Sequence, residues 1–521
     1  MPASVSVPGV YIEEIPSGVR TIPGVDTSIT AFVGKAVRGP VGDPQTIRSF
    51  AEFEEVFGGL HRDFPLGYAV RDFFLNGGSA AIISRVYKPI AGEAERARIE
   101  IANLVLEASS EGRWGSSLRA RVDKRAVSDP DAVAEASLLG VHPADLFDLT
   151  IHDGTTAFTE IFRGLTTRES ARRADRVLAS GSAFVNVAQA LPSSSAPAAH
   201  AGALADADVW AADAKSTKAG GSSDGGAAGS AEFNAAVNVL EKADLFNLLC
   251  ILPDQRGGDV PDDVYVEAMS LCAKRRAFLI VDSKSAWNNA VGAKTGVAHM
   301  NLTGDAARNA ALYFPRIMQA DPKLNGQIDT FPGCGVVAGV IARTDARRGV
   351  WKAPAGTEAT VAGVDGLQVT LTDAENGVLN PLGINCLRRF PSGMVVWGAR
   401  TLRGSDAAGD EYKYIPVRRT ALFIEESLSR GLKWVVLEPN DDLLWSQIRL
   451  NAGAFMRSLF NQGAFKGSTP RDAYFVKCDA ETTTQNDIDL GIVNITVGFA
   501  PLKPAEFVMI QLQLLAGQTK G

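Results

Sequence analysis

Gly221-Ser222-Ser223-Asp224-Gly225 is a literal match to G-x-S-x-G, the spacing that exposes a serine hydroxyl on a strand-to-helix turn for acyl transfer. That chemistry needs a strand before the serine and a helix after it. Here the pentapeptide lies in a tract where 28 of the 40 residues from 191 to 230 are Ala, Gly, Ser or Pro. Asp282 closes an apolar run and His299 follows it, a pair that could orient and carry a proton in a hydrolase. No serine in a strained apolar context completes that set, and an Asp at a strand end ordinarily caps a turn. Gly333-Cys334-Gly335 with Gly339 misses the dinucleotide fingerprint by one residue, and no G-x-x-x-x-G-K-[ST] loop is present for a nucleotide phosphate. The five cysteines (Cys250, Cys272, Cys334, Cys386 and Cys478) include no C-x-x-C pair, and five histidines are scattered. Unpaired buried thiols are therefore expected rather than a zinc site or a disulfide framework. No catalytic, cofactor-binding or metal-ligating residue is expected, and the chain reads as a non-enzyme.

Bulk properties narrow the field further. Lys and Arg number 52 against 59 Asp and Glu in 521 residues, a net charge of −7. Direct nucleic-acid binding, which draws its affinity from neutralised phosphates, is not expected. The basic pairs Arg347-Arg348, Arg388-Arg389 and Arg418-Arg419 are too dispersed to form a stripe. The longest apolar runs, such as Cys334 to Ala342, are half the ~18 residues that would span a bilayer, so membrane insertion is not expected. The opening Met-Pro-Ala-Ser-Val-Ser-Val-Pro-Gly lacks the basic start and apolar core of a secretory signal, and cytosolic synthesis is expected.

The elements that would carry any site follow from pattern. Pro2, Pro8, Gly9, Pro16 and Gly18 forbid a helix over residues 1–20, and Val5, Val7, Val10 and Ile12 suit an extended arm. Residues 21–90 read as α/β: a strand at Ala31 to Gly34, helices over Phe50 to Phe57 and Pro65 to Phe74, and a strand from Ala80 to Val86. Residues 91–190 hold short β-type runs (Ile99 to Leu106, Ser117 to Val122, Leu146 to Ile151, Ala183 to Val187), which predict a small β-sandwich-like insertion. The tract 191–230 predicts a mobile loop. Residues 231–385 return to α/β with a parallel β-α-β unit, Phe246 to Leu252, Val264 to Arg276 and Phe278 to Asp282. Residues 386–500 hold a helix from Arg418 to Leu432 and another beginning at Asn440, whose apolar face carries Leu444, Ile448, Phe455, Met456 and Leu459. Two β-runs close the chain, Ile492 to Phe499 and Phe507 to Leu515; residues 501–521 read as a second arm, with Ile510, Leu512 and Leu514 alternating with Gln511 and Gln513.

The non-catalytic blocks carry a resemblance. Pro8-Gly9-Val10-Tyr11-Ile12-Glu13-Glu14, Ala31-Phe32-Val33-Gly34, Arg38-Gly39-Pro40, Phe57-Gly58-Gly59 and Asn76-Gly77-Gly78 stand in the first quarter. Leu312-Tyr313-Phe314-Pro315-Arg316, Arg348-Gly349-Val350-Trp351-Lys352-Ala353-Pro354, Val396-Trp397-Gly398-Ala399-Arg400-Thr401, Tyr414-Ile415-Pro416-Val417-Arg418-Arg419 and Glu438-Pro439-Asn440 follow. In this order they resemble contractile tail sheath proteins of phages and related injection systems. Gly112-Arg113-Trp114-Gly115-Ser116 is similar to a Gly-x-Trp-Gly-Asn block of that family's β-rich insertion, with Ser116 in place of Asn.

The resemblance implies an α/β (α+β multidomain) fold. It comprises a subtilisin-like α/β region without protease chemistry, a C-terminal α/β domain, an inserted β-rich domain and terminal strand arms. It implies a structural subunit that stacks as rings, by resemblance sixfold, around an inner tube, in a virion tail or injection particle assembled in a bacterial cytoplasm. The implied partners are neighbouring copies, the tube protein, and baseplate and terminator proteins. The arm residues expected to join neighbours are Val5, Val7, Val10, Tyr11, Ile12, Val508, Ile510, Leu512 and Leu514. Arg449, Arg457 and Lys466 are the candidates for facing the tube. A hydrolase on the same scaffold is the alternative from another class.

Overall fold

The computed structural model describes residues 20–191 and 196–506. The chain divides into two compact units: one of residues 27–348 and 353–418, the other holding the described residues 20–26, 349–352 and 419–506. The nine arm residues lie outside the described residues.

The larger unit is organised by an eight-stranded sheet. Its strands are Thr30–Gly34 (β1), Gln45–Ile47 (β2), Ala81–Arg85 (β3), Leu248–Ile251 (β4), Phe278–Asp282 (β5), Ala310–Phe314 (β6), Ile384–Phe390 (β7) and Gly393–Val396 (β8). The order is β8-β7-β6-β5-β4-β1-β3-β2. The pairs from β3 through β1, β4, β5 and β6 to β7 are parallel, and the two edge strands are antiparallel. Thr-Ala-Phe-Val-Gly and Phe-Leu-Ile-Val-Asp are buried at every position, the continuous apolar pattern of a sheet covered on both faces. The expected β-α-β unit is present, with the helix Asp262–Arg275 (α3) between β4 and β5.

Helices Phe50–Phe57 (α1) and Leu66–Leu75 (α2) lie where the apolar spacing placed them. Ser49 caps the first by accepting from the Glu52 amide, and Gly58 ends it at φ +85°. Helix Cys334–Arg348 (α4) packs on α2, and its glycines serve that contact rather than a phosphate. A Cβ at Gly335 would stand 2.2 Å from the Ala69 carbonyl oxygen, and one at Gly339 2.6 Å from that of Phe73.

The insertion has two sheets around one core. Arg98–Ile101, Leu104–Ala108 and Val185–Val187 form one; Leu118–Asp123, Leu146–Asp153, Thr159–Thr166 and Thr217–Lys218 form the other. Ile99, Leu104 and Leu106 from the first pack with Val122, Leu149 and Ile151 from the second. The run read as one strand from Ile99 is a hairpin that turns at Ala102, whose φ is +50°. The expectation of a mobile loop over 191–230 is corrected from residue 196 onward. The fully buried Arg121 guanidinium donates to the carbonyls of Ala201 (2.9 Å), Gly202 (2.6 Å) and Lys215 (2.8 Å), and Thr217–Lys218 adds a strand beside it. Small side chains bury little, but their backbone oxygens, together with the Asp123 carboxylate (2.6 Å), satisfy a buried cation.

One buried carboxylate links α2 to the strand Ile317–Asp321. Asp72 accepts from Arg71 at Oδ1 (3.1 and 3.0 Å) and from the Gln319 amide at Oδ2 (3.1 Å). Burial pushes its carboxyl up to about 6, against the opposing pull of Arg71 and Gln319. An unfolded Asp titrates near ~3.9, so between these values the folded chain holds a proton that the unfolded chain has lost. This group therefore adds stability as pH falls through 6. Asp72→Asn should shrink the stability difference between pH 7.5 and pH 5 by on the order of 1–2 kcal/mol. Urea midpoints at the two pH values check this; an unchanged difference would assign the pH response to other groups.

Candidate assembly surface

The smaller unit is built on helix Ile415–Gly431 (α5), which enters it from Arg419, and helix Asp442–Asn461 (α6). The expected cap is corrected by one residue: Asp441, not Asn440, accepts from the Leu444 amide (2.8 Å). Asn440 is held elsewhere, accepting from the Trp445 indole (2.8 Å) and donating to the Ile492 carbonyl (3.0 Å).

Against α6 lies a two-stranded antiparallel sheet, Tyr474–Lys477 and Thr496–Phe499, in the register Tyr474↔Phe499 to Lys477↔Thr496. The alternation of a half-covered sheet puts Tyr474, Val476, Val497 and Phe499 on a core of Phe455, Met456, Leu459 and Phe465. On the other face Phe475 lies across its partner Gly498, where a Cβ would stand 2.3 Å from the ring. Among the described residues no further strand joins either outer edge. The expected run from Ile492 is strand only from Thr496: the Ile492 amide donates to the Asp487 carbonyl (2.7 Å), and Ile495 turns into a second small core with Leu444 and Trp445. The sequence reading missed the Tyr474–Lys477 partner, although its Tyr-Phe-Val composition favours a strand.

The chain entering from residue 20 is fastened to the same helices. The Arg20 amide donates to Asn451 Oδ1 (2.9 Å), the Val25 amide to Ser427 Oγ (3.2 Å), and the Arg20 guanidinium lies 4.6 Å from the Trp434 ring centroid. Ile22 is buried against Gly431 and belongs to the core under the sheet.

The three candidate cations are not equivalent. The half-buried Arg449 donates to the Cys478 carbonyl and, at 3.1 Å, to Ser446 Oγ, which ties α6 to the end of the sheet. Arg457 and Lys466 are exposed. The Lys466 amide donates to the Ala500 carbonyl (2.9 Å), at the point where the chain leaves the sheet.

The tempting catalytic residues are committed to packing. Ser223, the serine of the G-x-S-x-G match, accepts at Oγ from the Gly225 amide (3.2 Å). Ser222 Oγ donates to the Gly112 carbonyl (2.8 Å), and Asp224 accepts from the Arg113 amide (2.7 Å), so the match clasps the Gly112-Arg113-Trp114-Gly115 block. Asp282 accepts from the Gly333 amide (2.7 Å) ahead of α4, while His299 is exposed at the end of its own helix. The five cysteines are buried and free, and no cluster of His, Cys, Asp and Glu suited to a metal occurs among the described residues.

Comparison with known proteins agrees with a structural role. Residues 263–402 match the phage tail sheath protein central domain, and residues 407–514 match the phage tail sheath C-terminal domain. The tail sheath protein of Vibrio phage KVP40 is 25% identical over 258 residues, 49% of this chain and 37% of the phage protein. The chain thus aligns with little more than a third of that relative's length. A putative prophage major tail sheath protein of Pseudomonas aeruginosa is 24% identical over 288 residues, 54% of this chain and 69% of that protein. Among solved structures, the contracted PVC sheath of an extracellular contractile injection system aligns over 98% of both chains with a TM-score of 0.59 and 22% identity. The sheath tail protein of Listeria innocua aligns over 92% of this chain and 96% of its own, with a TM-score of 0.59 and 14% identity. These likenesses establish the fold.

Gly431 sets how closely α5 receives the entering chain. A Cβ there would stand 2.4 Å from Ile22 Cγ2 and 2.8 Å from Cγ1, so Gly431→Ala must displace Ile22. The expected cost is about 2 kcal/mol, the burial of one Ile side chain. Hydrogen exchange should then show protection lost at the Arg20 and Val25 amides while α6 keeps its own. Retained protection at both amides would show that the segment is held without Ile22.

Proposed function

We propose that this chain, in which residues 263–402 and 407–514 are phage tail sheath domains, is the structural subunit of a contractile sheath. In this reading copies stack as sixfold rings around an inner tube and shorten once, driving the tube through a target envelope. Baseplate and terminator proteins bound the assembly, which forms in a bacterial cytoplasm as part of a phage tail or an injection particle. The α/β region serves as a subtilisin-like scaffold without protease chemistry, consistent with the structural employment of Asp282 and Ser223.

The observation that carries the reading is the two-stranded sheet beside α6. It has an open edge on either side among the described residues, and the chain from residue 20 is fastened next to it. Open strand edges recruit further strands. Arms bearing Val5, Val7, Val10, Tyr11 and Ile12, and Val508, Ile510, Leu512 and Leu514, supply such strands to neighbouring copies. An arm of this length makes ~6 ladder hydrogen bonds at ~0.5–1.5 kcal/mol net each, which roughly offsets ordering at ~1–2 kcal/mol per residue. Burial of its apolar residues at ~1.5–3 kcal/mol each then decides the balance, and repetition through the lattice multiplies it. Extended connectors keep neighbours joined while the folded units turn.

Arg457 and Lys466, the exposed members of the cation set, are proposed to meet an acidic tube exterior, with Arg449 holding α6 and the sheet together behind them. Exposed pairs of this kind contribute ~0–1 kcal/mol each and weaken with salt, which suits a contact that must be released on contraction.

Two measurements test these assignments. Deleting residues 1–15 should leave a folded, soluble protein with an unchanged melting transition that forms no tubes in negative-stain micrographs; tubes of normal length would refute the arm assignment. Reversing charge with Arg457→Glu and Lys466→Glu together should reduce decoration of purified tubes severalfold at low ionic strength while sheath polymerisation persists. Undiminished decoration would remove these two residues from the docking surface.

A further inference from the structure

Ahead of α6 the chain displays apolar side chains where a stable fold would ordinarily hide them. Leu437 is 99% exposed, the highest value for a large apolar residue among those described, and Val436, Leu443 and Leu490 are 71%, 67% and 66% exposed. Their spacing is fixed from beneath. Trp434 and Val435 pack with Leu444, Trp445 and Ile488, and the Asn440 amide group donates to Ile492, so residues 436–443 and 487–492 share one surface.

Leu437 also has φ +71°, a left-handed conformation that a bulky L-residue rarely adopts. The turn around it is closed by the Glu438 amide donating to the Val435 carbonyl (3.2 Å) and the Asp441 amide to the Pro439 carbonyl (3.1 Å). Glycine or asparagine would serve this backbone with less strain. Strained positions of this kind cluster at functional sites.

The rim of the patch is mostly acidic. Glu438, Asp441, Asp442, Asp487 and Asp489 lie in the same two segments, against Lys433 and Arg449 at the borders of the first and Arg20 over the Trp434 ring. Asp487 is kept well ionised by the Thr484 amide and hydroxyl. Arg457 lies fifteen residues beyond Asp442, about 22 Å along α6, so this patch and the exposed cations are separate surfaces.

We propose that Leu437 and Leu443 anchor a second kind of protein, one that offers an apolar socket bordered by Lys and Arg. Another copy of this chain is the poorer fit, because it brings a net charge of −7 to a carboxylate rim. A central apolar anchor with a charged border is the arrangement in which a few residues dominate binding. The inference goes beyond the sheath reading, because the partner is defined by its chemistry and not by its place in a tail.

The test places a photo-crosslinking amino acid at Val436 in the full-length chain, expressed together with its neighbouring genes, and identifies the adduct by mass spectrometry. The expected product joins Val436 to a different polypeptide, at a peptide carrying both apolar and Lys or Arg residues. Its yield should fall severalfold between 50 and 500 mM salt, and at least tenfold in the Glu438→Lys, Asp442→Lys double variant. Leu437→Gly should lose the adduct at least tenfold while the melting temperature stays the same or rises, a combination that misfolding cannot produce. A crosslink to another copy of this chain, a crosslink to an acidic peptide, no adduct at all, or full yield from Leu437→Gly would each overturn the proposal. Micrographs of the same samples keep the two readings apart: intact tubes with any of those outcomes leave the sheath assignment standing and remove only this one.

Discussion

The packing of Tyr474, Val476, Val497 and Phe499 against Phe455, Met456 and Leu459 of α6 holds a sheet of two strands that has one face covered and, among the described residues, both edges open. Backbone groups on such edges are satisfied by water when the chain is alone and by another strand when one is offered. Much else in the smaller unit serves that arrangement. Arg449 ties the helix to the end of the sheet, Phe475 covers Gly498 on the outer face, and the Lys466 amide holds the exit at Ala500. Asn451 and Ser427 fasten the entering chain beside it. On the proposed reading, this sheet is the acceptor for the arms of neighbouring copies.

The larger unit spends its chemistry differently. Strand ends in an open parallel sheet are where α/β enzymes assemble their sites. Here the polar groups at those ends are turned inward: Asp282 accepts from the Gly333 amide, and Arg316 donates to the Ser283 carbonyl (3.0 Å) and to Asp259 (2.6 Å). Lys35, buried after β1, donates to the Gly226 carbonyl (2.9 Å) and pairs with Asp254 (3.4 Å). Such groups brace connections between strands and helices. They suit a unit that must stay rigid while force passes through it, as the proposed role requires.

How much of this was legible depended on whether side chains or backbone made the decision. Phe50–Phe57 and Phe278–Asp282 could be read to the residue, because Ser49 and Gly58 punctuate the one and unbroken burial marks the other. The start of α6 was displaced by one residue because Asn440 and Asp441 are both good caps, and only the Trp445 indole, five residues on, decides between them. The hairpin at Ala102 was hidden because no glycine or proline marks the Ala102-Asn103 turn between two β-type runs. The 191–230 tract misled for a deeper reason: composition counts side chains, whereas Arg121 recruits the carbonyls of Ala201, Gly202 and Lys215, which composition does not register. In the candidate site, Arg457 and Lys466 are exposed as anticipated, Arg449 is engaged within the chain, and the strand Tyr474–Lys477 was found only in three dimensions.

The two ends of α6 show how one helix can serve opposite demands. Its start lies among carboxylates and exposed leucines, with Asp441 and Asp442 also favourably placed against the positive end of the helix dipole. Toward its end stand Arg457 and, past Gly463, Lys466. An apolar anchor gains from dehydration and is little affected by salt, whereas exposed charges fade as ionic strength rises. The two ends are separate surfaces, and each calls for a partner of complementary charge. On the proposed reading, the contact at the strained turn of Leu437 and the one at Arg457, about four turns along the helix from Asp442, differ in the charge of the partner that each would take.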